Sequence, residues 1–153
     1  MIKFKSKTHS KILISLKDQI INSRILDWGS KFNDNAGISY KQLNAILKYW
    51  GNDFSWEKQE KDLNKYDQFK ITIDKIDTQF LHIKSSQKNA LPLMLIHGWP
   101  GSIFEFFDLI PLLTNPEQNN LIGYQAFDLI IPSLPNVGFS FSLNQKPLDL
   151  KEI

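Results

Sequence analysis

PLMLIHGWPGSIFEF occupies residues 92–106. The apolar run Leu93–Ile96 stops at His97-Gly98-Trp99-Pro100-Gly101-Ser102, and an apolar pattern with a different spacing resumes at Ile103. A short continuous apolar run is the pattern of a strand buried on both faces. In the second pattern Ser102 and Glu105 have capping-box spacing, and Ile103, Phe106, Phe107 and Ile110 share one face, which predicts a helix from Ser102. A strand that ends in a glycine-rich turn before a helix leaves backbone N–H groups aimed into open space, beside the positive end of the helix dipole. Two readings stand: a tight turn without chemistry, or a loop whose donors stabilise charge developing on a carbonyl oxygen.

Working outward, FDLIIP (Phe127–Pro132) reads as a second buried strand, and SLPNVGFSFS leaves it as irregular chain. The unit is therefore strand–helix–strand, right-handed in nearly all sheets. Ligands in such sheets bind beyond the carboxyl ends of the strands, where HGWPGS lies. Upstream, FKITIDKIDTQFLHI predicts a hairpin of Phe69–Ile73 and Ile76–Ile83, turned at Asp74-Lys75. Before it the pattern is helical. Ile12, Leu13, Leu16 and Ile20 mark a face within Ser10–Ile21. Ser39 and Gln42 cap a second helix with Leu43, Ile46, Leu47 and Trp50 on one face, stopped by Gly51 and Asn52. Ser55 caps a third, short helix. GSKFNDNAG between the first two reads as loop, and LDLKEI (Leu148–Ile153) as the opening of another helix. The expected fold class is α/β: residues 1–67 a mainly helical extension, residues 68–153 a hairpin followed by β-α-β.

The bulk numbers exclude several classes. Among 153 residues, 18 basic and 16 acidic side chains are spread along the chain for a net charge of +2, which offers no clustered basic face for nucleic acid. The basic start, with Lys3, Lys5, Lys7 and Lys11, reads as a solvated face. No cysteine is present, which excludes disulfides, thiolate nucleophiles and cysteine zinc sites, and fits a soluble protein of the cytoplasm. No apolar run approaches a membrane span. No His, Asp or Glu cluster has metal-ligand spacing, so no metal or cofactor is expected.

The chain resembles the epoxide hydrolases of the microsomal and juvenile-hormone type. The likeness is carried by ISYKQLNAILKYWGNDFSWEKQEKDLNKYDQFKITIDKIDTQFLHIKS, similar to their N-terminal extension and first hairpin; by ALPLMLIHGWPGSIFEFFDLIPLLTNP; and by FDLIIPSLPNVGFS. It implies an N-terminal extension followed by the start of an α/β-hydrolase core, truncated at Ile153. His97, Gly98, Trp99 and Pro100 match the family's HGxP motif, which implies the Trp99 backbone N–H as an oxyanion donor, with His97, Gly98 and Pro100 supporting it. The family opens a small-molecule epoxide by attack of an aspartate and hydrolyses the resulting ester to a vicinal diol without a cofactor. A histidine paired with an acid activates the water, and two cap tyrosines donate to the epoxide oxygen. The resemblance places all of these beyond residue 153, which implies an inactive N-terminal fragment. A non-catalytic binding module from a truncated gene, and a related α/β-hydrolase such as a haloalkane dehalogenase, stay open as alternatives; the helical extension speaks against the latter.

One departure lies at the exit of the second buried strand, where the family's Pro-Gly-Tyr-Gly-Phe-Ser is Pro135-Asn136-Val137-Gly138-Phe139-Ser140 here. Asn136 tolerates left-handed angles and keeps the turn feasible. His97 is expected to fix its loop by hydrogen bonding, and His9 and His82 to be structural or surface groups. Tyr40, Tyr49, Tyr66 and Tyr124 do not match the family's epoxide-binding positions. Trp28, Trp50 and Trp56 are expected to pack. Asp128, inside a strand, is not expected to be a nucleophile, and no G-x-S-x-G elbow is present.

Overall fold

Asp74 and Lys75 both adopt left-handed backbone angles, φ 48° and 68°, and join the two strands of a hairpin as expected. The computed structural model describes residues 1–26 and 37–141. Residues 29–36 of the loop expected over 29–37, Trp28 and the helix expected at 148–153 lie outside the described residues. The chain divides into two compact units, Ser6–Leu63 and a second formed by Met1–Lys5 with the chain from Asn64 onward.

The second unit is built on a five-stranded mixed sheet. Its strands are β1 (Ile2–Phe4), β2 (Gln68–Ile73), β3 (Ile76–Ile83), β4 (Leu91–Met94) and β5 (Phe127–Pro132), in the order β1-β2-β3-β5-β4. β1, β2, β3 and β5 pair antiparallel in turn, whereas β4 lies parallel to β5 with Leu93 opposite Leu129. The basic start is a solvated face as expected, with Lys3, Lys5, Lys7 and Lys11 all exposed, but it also carries a strand that the sequence did not suggest. Ile2–Phe4 is a strand, Lys3 pairs with Asp67 at 2.8 Å and Lys70 stands 4.6 Å from the centre of the Phe4 ring.

Alternation decides what the sheet buries. In β3 and β5 every second residue faces the core, and Leu81, Leu129 and Ile131 are fully buried. Each contributes about 1.5–3 kcal/mol on the area scale. Ile103 and Ile110 close over the same unit and are 1% exposed. Ser85 ties the connections together: its N–H donates to Asp128 Oδ1 at 2.8 Å and its Oγ to the Thr114 carbonyl at 2.6 Å.

Two expectations here need correction. The strand expected over Leu93–Ile96 runs from Leu91 to Met94 and is not buried on both faces; Met94 and Ile96 are each 58% exposed. Among the described residues β4 has a partner, β5, on one side only. Nor is there a single helix from Ser102. Ile103–Phe106 is a 3₁₀ turn, and a separate helix, Leu109–Thr114, comes after it. Pro111 is the physical reason. A continuous helix would place Pro111 in its interior, with no N–H to donate and its ring against the preceding turn. Starting at Leu109 puts Pro111 in the first turn, where no N–H is needed.

The first unit holds α1 (Ser10–Ile21), α2 (Tyr40–Asn52) and α3 (Trp56–Leu63). α4 is therefore Leu109–Thr114 of the other unit. His9 caps α1, and the Ser39–Gln42 capping box on α2 forms in both directions. Gly51 and Asn52 do not stop α2, which runs through both. Gly51 instead permits close approach of α1: a Cβ there would lie 3.2 Å from Ile21 Cγ1 and 3.4 Å from Ile20 Cγ2. The expected apolar faces are only partly covered; Leu13 and Ile20 are buried, but Ile12, Ile46 and Trp50 are 61%, 51% and 41% exposed. They line an apolar groove of about 660 Å³. The segment before α1 is fastened to α3 through Glu60 Oε1, which accepts from Ser6 Oγ (2.8 Å), Thr8 N–H (2.7 Å) and Thr8 Oγ1 (2.9 Å). Among the described residues no helix is long and apolar enough to cross a membrane.

Candidate functional site

The HGWP turn begins where β4 lets go of β5. The Leu95 N–H still donates to the Ile130 carbonyl at 3.0 Å, and the chain then turns away. His97 comes next but one, 3% exposed. Its Nε2 accepts the Leu134 N–H at 3.1 Å, and its Nδ1 lies 2.9 Å from the Gly98 carbonyl oxygen. An amide N–H can only donate, so Nε2 carries no proton. Nδ1 therefore holds the hydrogen and donates it to Gly98, which assigns the tautomer from the partners. His97 thus holds its loop in two directions, and both ring nitrogens are used.

That second bond has a geometric corollary. The Gly98 carbonyl and the Trp99 N–H are opposite ends of one peptide group, and that bond is trans; the cis bond of this turn is Trp99–Pro100. Holding the carbonyl in a planar trans unit aims the N–H the opposite way. Among the described residues the Trp99 N–H has no hydrogen-bond partner. The Trp99 side chain is 85% exposed. A Cβ at Gly98 would meet nothing within 4 Å, so the space beside the turn is open. Gly101 is confined instead. A Cβ there would occupy the place of the Glu105 carboxylate and stand 3.0 Å from the Gly98 carbonyl oxygen.

The segment after the turn differs from the expected helix N-terminus. Ser102 Oγ accepts the Phe104 N–H at 3.4 Å, and the four-residue 3₁₀ turn aligns few peptide dipoles. Any donor function here rests on the turn's own N–H, not on a macrodipole.

The other wall is the exit of β5. Asn136 takes φ 60°, as its tolerance of left-handed angles allows, and Gly138 takes φ 53°. The Val137 N–H donates to the Leu134 carbonyl at 3.0 Å and closes the turn that presents Leu134 to His97. Below it lies a buried polar group that no sequence motif marks: Gln79 of β3 with Ser133 and Ser140. The only sequence signal is Gln79 standing in the same alternate set as Leu81.

The remaining tempting residues serve elsewhere. His9 caps α1 and His82 lies 6.2 Å from the Phe69 ring. Asp128 accepts the Ser85 N–H. Tyr49 packs near Phe54 and Tyr66 against Phe107. Among the described residues no group of three His, Cys, Asp or Glu side chains could hold a metal.

Comparison with known proteins matches this arrangement. Residues 1–106 match the family model described as "Epoxide hydrolase N terminus". Epoxide hydrolase 1 of Sus scrofa is 37% identical over 147 residues, 94% of this chain and 32% of that protein. Juvenile hormone epoxide hydrolase 1 of Ctenocephalides felis is 37% identical over 141 residues, 90% of this chain and 30% of that protein. The crystal structure of juvenile hormone epoxide hydrolase from the silkworm Bombyx mori superposes with a TM-score of 0.83 at 32% identity, over 99% of this chain and 36% of that one. The Aspergillus niger epoxide hydrolase gives 0.77 at 30% identity, over 97% of this chain and 38% of that one. The chain thus spans about a third of the length of the curated relatives it matches. Those neighbours fix the mixed sheet as part of an α/β-hydrolase core. Because the family match takes in the capped helices, the hairpin and the HGWP turn together, the chain belongs to the epoxide hydrolase family, in the region that its members carry at the N terminus.

Proposed function

We propose that this segment supplies one half of the oxyanion site of an epoxide hydrolase, with the Trp99 backbone N–H as donor. The single observation that carries the reading is an N–H without a protein partner among the described residues, on a peptide whose carbonyl is held by His97. In the reaction a carboxylate attacks an epoxide carbon, the C–O bond breaks, and the alkoxide takes a proton. Water then adds to the ester carbonyl, whose oxygen becomes negative before collapse releases the diol and restores the carboxylate. A fixed N–H is useful in the second step, where that charge develops. His97, with both nitrogens engaged, orients the turn; it does not serve as the base. Pro100 has no N–H, and the Trp99 N–H belongs to the peptide whose carbonyl His97 holds, so this reading assigns the donor to Trp99.

The same reading divides the chain into a helical extension over residues 1–67 and part of the catalytic core from residue 68. The compactness of Ser6–Leu63 as a unit of its own supports that division over those residues, whereas Met1–Lys5 belongs with the sheet. The substrate is a small-molecule epoxide, and residues 1–153 alone yield no diol because the family's nucleophile, base and cap tyrosines match no residue here. A diol assay on the purified 153-residue chain checks the latter point; turnover above a heat-treated control refutes it.

The direct test of the donor is an amide-to-ester replacement at Trp99 in a full-length epoxide hydrolase that carries this segment. Losing one such donor typically slows the reaction by about 10²–10³. Single-turnover kinetics should place the loss in ester hydrolysis. An unchanged rate for that step rejects the assignment.

A further inference from the structure

Ser133 is held at all three of its polar groups. Its N–H donates to the Gln79 carbonyl at 2.8 Å and its Oγ to Gln79 Oε1 at 2.7 Å. Its carbonyl accepts from Ser140 Oγ at 2.8 Å, and that hydroxyl accepts the Gln79 N–H at 2.9 Å. Gln79 Nε2 donates to Gln68 Oε1 at 3.2 Å, and Gln68 Nε2 to Asn64 Oδ1 at 2.9 Å. Gln68 and Gln79 are fully buried, Ser133 is 2% and Ser140 1% exposed. A leucine at position 79 would continue the apolar face set by Leu81 without any hydrogen-bonding demand. A buried glutamine is costly unless its partners are fixed, and a satisfied network of this kind specifies one local geometry.

The next amide along the chain is Leu134 N–H, the donor to His97 Nε2. We propose that Gln79 is a positioning residue for the oxyanion turn: by clamping Ser133 it presents the Leu134 N–H to His97, which fixes the Nδ1–H tautomer and so the plane of the Gly98–Trp99 peptide. Gln79 touches no reacting atom. Its influence passes through Ser133, Leu134, His97 and Gly98 in turn. The kinetic part of this proposal rests on the oxyanion reading of Trp99; the structural part does not.

The test uses a full-length epoxide hydrolase that carries this segment and begins with its wild type. A through-hydrogen-bond ¹⁵N–¹⁵N coupling between the Leu134 amide and His97 Nε2 is expected, with imidazole shifts of a single tautomer. Its absence overturns the proposal outright. Gln79→Met should raise Leu134 amide exchange about tenfold and move the His97 ring nitrogens toward mixed tautomers. It should lower kcat about tenfold and KM in step, leaving kcat/KM unchanged, because only ester hydrolysis is slowed; a loss of folded protein instead lowers kcat at constant KM. Ser133→Ala removes one hydroxyl, creates no clash, and gives the same reading if Gln79→Met fails to fold. A folded variant with the wild-type coupling and tautomer refutes the relay. The Trp99 ester separates the two ideas. If the ester slows turnover and folded Gln79→Met leaves kcat unchanged, the positioning role has failed. If the ester is itself silent, the oxyanion reading has failed, and the tautomer and exchange results judge the relay by themselves.

Discussion

Glu60→Gln tests how the segment before α1 is fastened. One carboxylate oxygen takes donors from Ser6 Oγ, Thr8 N–H and Thr8 Oγ1, and Thr8 Oγ1 in turn accepts Trp56 Nε1 at 2.7 Å. Glutamine keeps an acceptor at the same place but removes the charge. Hydrogen bonds to a charged group contribute about 1.5–3 kcal/mol and neutral ones about 0.5–1.5 kcal/mol. Three bonds losing charge assistance would sum to about 3 kcal/mol, but the site is only partly buried and solvent screens it, so about 1 kcal/mol is expected at pH 7. Burial pushes the Glu60 carboxyl up, yet the bonds from Ser6 and Thr8 outweigh it and hold the group below the ordinary 4.5. A carboxyl depressed in the folded state stabilises fully above its unfolded value, and that stability is lost as pH falls through the folded value. The wild-type advantage should therefore be constant from pH 7 down to about 5, shrink below 4.5, and vanish once Glu60 is protonated. Glu57 and Asp67 are also held low, by hydrogen bonds at Glu57 and by Lys3 at Asp67, so the difference between the two proteins, not either acid titration, isolates Glu60. Thermal melts across pH, with exchange of the Thr8 amide as local probe, measure it. A difference that does not change with pH, or one that grows in acid, refutes the reasoning.

Other substitutions read other parts of the molecule. Leu129→Ala empties a fully buried site and should cost about 2–5 kcal/mol, seen as a lower urea midpoint at unchanged slope. Asn136→Val forces a β-branched residue to φ 60° and should cost about 1–2 kcal/mol by the same measurement, whereas Asn136→Gly should be nearly neutral. Gly51→Leu drives a side chain into Ile20 and Ile21 across the α1–α2 contact and should cost about 1–3 kcal/mol, judged by loss of helical circular dichroism on heating.

The legible part of the sequence is local. The Ser39–Gln42 box closes over three residues and the Asp74-Lys75 turn over two, so neighbouring side chains suffice to specify them. The HGWP turn and its histidine are readable because the motif and its use of the backbone are contiguous. Sequence and structure part where the deciding partner is remote or where two local signals compete. Gly51 has the look of a stop signal until α1 is seen lying against it. After Ser102 the capping-box spacing argues for one helix and Pro111 against it, and the proline wins. Glu60 reaches Thr8 across 52 positions, and Gln79 reaches Ser133 across 54. No spacing rule joins residues that far apart; only the completed fold does.

The bond from Leu134 to His97 also spans 37 positions, which has a consequence in time. A chain made at about 5–20 residues per second synthesises the HGWP segment roughly 2–7 s before Leu134. During that interval His97 has no amide to accept, and the Gly98–Trp99 peptide is free to turn. The Trp99 N–H is therefore held in one direction only when β5 docks beside β3 and β4. Substitutions that slow this docking would lengthen the interval without altering any contact in the finished turn.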